Sequence, residues 1–139
     1  MLVAAPARSW LDGLHRMLIA AFVILGIAVL LGSLLAVLHL RAVETATPTA
    51  ALAVLHALVA LGGFACLLAA LRGPPRGLET GTAEFGAIAA VLIALAALLG
   101  GGFVALRLLK RRIVSSLIGI HATLAVAGFV VLAAYLFAG

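Results

Sequence analysis

Residues 53–71, AVLHALVALGGFACLLAAL, and residues 118–136, IGIHATLAVAGFVVLAAYL, decide how this chain is read. Each is an apolar run on the scale of a membrane helix, which needs roughly 20 residues to cross about 30 Å of hydrocarbon. Each carries one histidine near its start, His56 and His121. Ionisable groups inside a membrane are rare and mark function by default. Aligned at an offset of 65, the stretches share His56/His121, Ala57/Ala122, Ala60/Ala125, Gly63/Gly128, Phe64/Phe129, Leu67/Leu132, Ala69/Ala134 and Leu71/Leu136, eight identities in nineteen positions. Ala and Leu matches are cheap here, but the shared His-Ala-x-x-Ala-x-x-Gly-Phe uses rarer letters.

The rest of the chain sets these segments in lipid. Of 139 residues, 67% are hydrophobic and 9% charged, with a mean hydropathy of +1.40. A soluble domain is nearer half apolar and a quarter charged, and so small a core cannot hide the excess. Four spans are expected, at about 17–40, 49–71, 83–106 and 113–137. Between them lie RAVETATP, the Pro- and Gly-bearing RGPPRGLETGT, and the basic RLLKRR. The first run is too long for the apolar part of a signal peptide and is read as a retained helix. Ahead of it, SWLDGLHR reads as an interfacial lead-in, with Ser9 capping the helix, Asp12 three residues on, and Trp10 at headgroup level.

The odd-numbered helices also match, at an offset of 68. LLGSLLAVLHLR (30–41) beside LLGGGFVALRLL (98–109) pairs Leu30/Leu98, Leu31/Leu99, Gly32/Gly100 and Leu38/Leu106. The expected fold is therefore an all-α, integral membrane four-helix up-down bundle forming a single domain. It is built from two parallel hairpin repeats, about 17–71 and 83–137, related by an axis along the membrane normal. The second and fourth helices of such a bundle are diagonal neighbours. Gly32 and Gly100 lie about eight residues before the ends of their helices, and His56 and His121 about eight after their starts. At 1.5 Å per residue, all four fall roughly 12 Å below one surface. Gly63 and Gly128 continue each histidine's face two turns on.

Two imidazoles and two glycines in one layer leave space for a flat guest. A b-type haem with His56 and His121 as axial ligands of its iron suits that layer. Glycines would let the macrocycle approach the backbone, and Arg41, Arg107, Arg111, Arg112 and His39 lie toward the nearer surface, where they could neutralise two propionates. This layout resembles that of the four-helix membrane b-type cytochromes. In the cytochrome b of quinol-oxidising complexes, haems are held by histidines of the second and fourth helices, with glycines on the first and third. The resemblance is one of layout, and this chain has one histidine per ligand helix rather than two. It implies a single haem, with quinone as a possible further ligand.

Two functions suit these features. One is a small membrane b-type cytochrome or haem-bearing subunit of a respiratory or photosynthetic electron-transfer complex. The other is a cofactor-free accessory or scaffold subunit, in which small-residue stripes pack helices and each histidine bonds a neighbour. Proton or metal handling by the histidines is a third use of such a pair. Membrane lipid and other membrane subunits are the expected partners. Nucleic acid is not, because the arginines read as basic loops at a membrane surface. The membrane is expected to be the bacterial inner membrane. Basic residues divide four to five between the sides, and RLLKRR assigns the 41–48 and 107–112 loops to the cytoplasm.

Other chemistry is poorly represented. Asp12, Glu44, Glu79 and Glu84 map to loops or helix ends and form no deducible acid–base pair, Glu84 suiting a helix N-terminus. LLGGGF lacks the strand and lysine of a nucleotide loop. No Ser/His/Asp or Cys/His triad is evident, and Cys66 is the sole cysteine. His39, matched by Arg107, reads as an interfacial cation, and His15 as a solvated group on the opposite side. Nothing marks the chain as an enzyme by itself.

Overall fold

A computed structural model describes residues 4–41, 48–111 and 113–138. The described chain is helical: α1 (Ala4–Arg41), α2 (Pro48–Ala70), α3 (Phe85–Leu108) and α4 (Ser115–Ala138). All four are long and apolar enough to cross a membrane. In hydrocarbon a helix satisfies every backbone group within itself, and these Ala- and Leu-rich runs let it do so. Hydroxyls follow the same rule: Ser33 donates to the Val29 carbonyl at 2.8 Å, and Thr123 to that of Gly119 at 2.9 Å.

The helix starts correct several expectations. α1 begins at Ala4 rather than near Met17, so SWLDGLHR is helical and Ser9 lies inside the helix instead of capping it. Pro48 opens α2, where proline's missing N–H costs nothing. α3 starts at Phe85, two residues later than expected, because Phe85 N–H first closes a turn onto the Thr82 carbonyl at 3.0 Å. Glu84 takes the N-cap position with no side-chain cap bond, leaving its charge as its contribution there. α4 starts at Ser115, within two residues of the expected span.

Residues 107–111, RLLKR, form the tight end of α3. Lys110 adopts a left-handed conformation at φ 54°, and Arg111 N–H reaches back to the Leu106 carbonyl at 2.8 Å. Arg112 and Glu44 lie outside the described residues.

Contacts between α1 and α2 run in opposite numerical senses. Gly73 meets Leu14, Gly63 meets Leu25 and Ile24, and Gly32 meets His56. The same holds for α3 and α4, where Gly86 meets Tyr135, Gly128 meets Ile93, and Gly100 meets His121. α1 packs most extensively on α2, and α3 on α4. The two pairs meet along slimmer seams, of which the α1–α4 seam carries Phe22 stacked on Phe129 at 4.9 Å.

Buried positions follow helical spacing. On α1 they are Leu18, Ala21, Leu25 and Ala28; on α3, Gly86, Ala89, Ile93 and Ala96. Each α3 residue lies 68 after its α1 counterpart. The buried Gly63 and Leu67 on α2 and Gly128 and Leu132 on α4 likewise stand 65 residues apart. The core therefore fills one half of the bundle, toward the 71–84 connection. Among the described residues nothing is buried beyond Ala28 or Ala96, or before Gly63 or Gly128 on α2 and α4.

A histidine layer at the edge of the core

His56 and His121 stand where that core stops. His56 donates Nδ1–H to the carbonyl of Ala28, 2.9 Å away, and His121 donates Nδ1–H to that of Ala96 at 2.8 Å. These acceptors are the last buried residues of α1 and α3, and they too are 68 apart. A helical carbonyl is already engaged by its own ladder but keeps a second lone pair, which an imidazole can use. The bond fixes tautomer and orientation together, placing the proton on Nδ1 and the ring's lone pair on Nε2. Neither Nε2 has a hydrogen-bond partner among the described residues.

The rings approach each other from diagonal helices. Their centres are 6.2 Å apart and their planes stand at 77°. Two imidazoles binding one metal ion from opposite sides, through bonds of ~2 Å, put their centres roughly 6 Å apart. Phe103 adds an edge contact to His121 at 5.5 Å. Its α1 counterpart at an offset of 68 is Leu35, so no sequence signal pointed to it.

The glycines named from sequence fall into two sets. At Gly32 a methyl would lie 2.9 Å from His56 Cε1, and at Gly100 it would lie 3.3 Å from His121 Cε1. The volume these glycines vacate on α1 and α3 seats the imidazoles. Gly63 and Gly128 serve helix crossings: their added methyls would meet Leu25 Cγ and Ile93 Cγ1, each at 2.8 Å. His39, Arg41, Arg107 and Arg111 are all exposed near the ends of α1 and α3. They share an end of the bundle with the histidine layer but make no described contact with it.

Haem can be tested against this layer. Its donor set would be two neutral imidazoles, each with Nδ1 committed to a carbonyl and Nε2 left as a ligand atom, the usual outer-shell arrangement of a metal-bound histidine. Their centre-to-centre spacing, 6.2 Å, is that of two imidazoles on one shared ion. The donor set fits the group. No cluster of three or more His, Cys, Asp or Glu side chains occurs among the described residues. Comparison with protein-family models, with curated proteins and with solved structures finds no match to this chain.

Proposed function

We propose that this chain is a small membrane b-type cytochrome, or the haem-bearing subunit of a respiratory or photosynthetic electron-transfer complex. It is an up-down bundle that arose by duplication of one helical hairpin. The shared offsets of the buried residues and of the two Nδ1 bonds support that origin. The observation that carries the function is the pair of carbonyl-anchored imidazoles, 6.2 Å apart, with both Nε2 atoms unpartnered among the described residues.

His56 and His121 would hold the haem, whose iron supplies one-electron oxidation and reduction when bound. The chain's own residues prepare that site. The carbonyls of Ala28 and Ala96 hold each proton at Nδ1 and fix the ring orientation. Gly32 and Gly100 let each ring lie close to the neighbouring helix. Arg41 and Arg107 place positive charge at the same end, beside His39, suited to a cofactor's carboxylates. Gly63 and Gly128 keep each hairpin tight below the layer. With only two protein ligands, the set suits an iron whose other ligands come from a macrocycle. The proposed setting is the bacterial inner membrane, with the 41–48 and 107–112 loops cytoplasmic, and quinone and a neighbouring membrane subunit as redox partners.

A cofactor-free accessory subunit is the second reading. It is favoured by the same Nδ1 bonds, which satisfy half of each imidazole without a ligand, and by the close fit of each ring over its glycine. A pyridine haemochrome assay on the detergent-purified chain separates the two. The cytochrome reading expects one b-type haem per chain, and its absence after expression with ample haem supply leaves the accessory reading.

A further inference from the structure

Arg76 lies on the 71–84 connection, at the opposite end of the bundle from the histidine layer. Its Nη1 donates to Nδ1 of His15 at 2.8 Å, and that bond is its whole set of polar contacts among the described residues. Its Nε is buried without a partner, alone in this among the described side-chain nitrogens and oxygens. No carboxylate among the described residues answers the guanidinium charge. An unmet buried donor is destabilising, and more so on a charged group.

The guanidinium borders a cavity of about 120 Å³, whose wall includes Leu11, Leu14, Leu18, His15 and Tyr135. The space exceeds the roughly 10–15 Å³ that a single water needs. The four α1 residues recur at intervals of three and four and form one helix face. Tyr135 is only 4% exposed, its ring lies against Gly86, and its hydroxyl has no partner among the described residues. Because His15 accepts at Nδ1, its neutral ring carries the proton on Nε2. Arg76 Nε–H, His15 Nε2–H and Tyr135 O–H are three donors with no acceptor to match them among the described residues.

We propose that this cavity holds the phosphate headgroup of an anionic membrane lipid. A guanidinium with a second and third donor suits a phosphodiester. The leucines suit the glycerol and upper acyl chain. The cavity also sits where the apolar span of α1 begins and that of α2 ends, which is headgroup level. Free phosphate would use the donors but not the apolar wall. The proposal stands apart from the haem reading and survives its failure.

Native mass spectrometry of the detergent-solubilised chain, titrated with phosphatidylglycerol, phosphatidylcholine or inorganic phosphate, tests this directly. One phosphatidylglycerol should be retained, about tenfold tighter than phosphatidylcholine, whose phosphodiester is the same but whose quaternary ammonium is repelled by the guanidinium. Arg76→Gln should remove that preference, while Arg72→Gln, at an exposed arginine on the same connection, should keep it. If Arg76→Gln does not fold, His15→Gln at an exposed position takes its place, with a several-fold loss expected. Equal affinity for the two lipids, equal loss in the Arg76 and Arg72 variants, no loss in His15→Gln, or displacement of the lipid by millimolar phosphate would each overturn the proposal.

Discussion

His56 and His121, carried on separate hairpins, bring their imidazole centres within 6.2 Å across the bundle at the level where its buried core ends. Each ring is held by a backbone carbonyl on its own hairpin, so the spacing between them is set by the hairpins rather than by a bond between the rings.

The glycine beneath each ring should be sensitive in a graded way. Gly32→Ala puts a methyl 2.9 Å from His56 Cε1, on a ring that its bond to Ala28 keeps from moving away. Overpacking of this kind costs about 1–3 kcal/mol. Gly100→Ala, at 3.3 Å from His121, should cost less, and Gly101→Ala or Gly102→Ala, with nothing within 4 Å, should cost nothing. Thermal unfolding followed by circular dichroism in one detergent gives the order, and four equal Tm values would contradict it.

The seam between the hairpins should depend on one aromatic more than on its sequence counterpart. Phe129 stacks on Phe22 at 4.9 Å with an interplanar angle of 12°, and lies against Gly26. Phe64, its counterpart on α2, packs against the core without a ring partner among the described residues. An aromatic pair is worth about 0.5–1.5 kcal/mol beyond its buried area. Phe129→Leu should therefore lower the unfolding midpoint more than Phe64→Leu does. The reverse order would place the seam elsewhere.

The connection bearing Arg76 should be fragile at Gly77 and less so at Gly81. Both have positive φ, 74° and 71°, which costs an L-residue roughly 1–2 kcal/mol. At Gly77 a methyl would also collide with the hydroxyl of Thr82, which is buried and whose N–H binds the Gly77 carbonyl at 2.9 Å. Thr80 accepts from that hydroxyl and donates to the Ala138 carbonyl at 2.9 Å, tying the connection to the end of α4. Gly77→Ala should speed amide exchange across 74–84, and Gly81→Ala should do so less. Equal rates in the two variants would mean that the Thr82 contact contributes nothing.

How much of this could be read from the letters alone follows from what each feature depends on. The four apolar helices were legible because lipid demands length and hydropathy, and both are local properties. The start of α1 was not, because SWLDGLHR mixes cap-forming, aromatic and charged residues that a helix also tolerates. His56 and His121 were legible as rare letters in matching places. Their acceptors were not, since any residue offers a carbonyl and only packing selects Ala28 and Ala96. The pairing of His15 with Arg76, distant in sequence, was hidden for the same reason: it depends on the shape of a turn built by Gly77, Thr80 and Thr82. The regular rise of the helix did place Gly32 and Gly100 level with the histidines. What it left open was that those glycines would receive the rings themselves.

On the cytochrome reading, the two other histidines should not be iron ligands. His39 is exposed at the end of α1, and His15 is exposed and bonded to Arg76. His39→Ala and His15→Ala should each retain the haem content and spectrum of the parent chain. Loss of haem in either, with folding intact by circular dichroism, would move the ligand assignment.

The most direct test is the reduced-minus-oxidised visible spectrum of the purified chain beside its His56→Ala and His121→Ala variants. The parent should show a low-spin haem spectrum that sharpens with dithionite, and each single replacement should abolish the bis-histidine form. A parent chain without a Soret band, or either variant keeping the parent's spectrum, would contradict ligation by this pair.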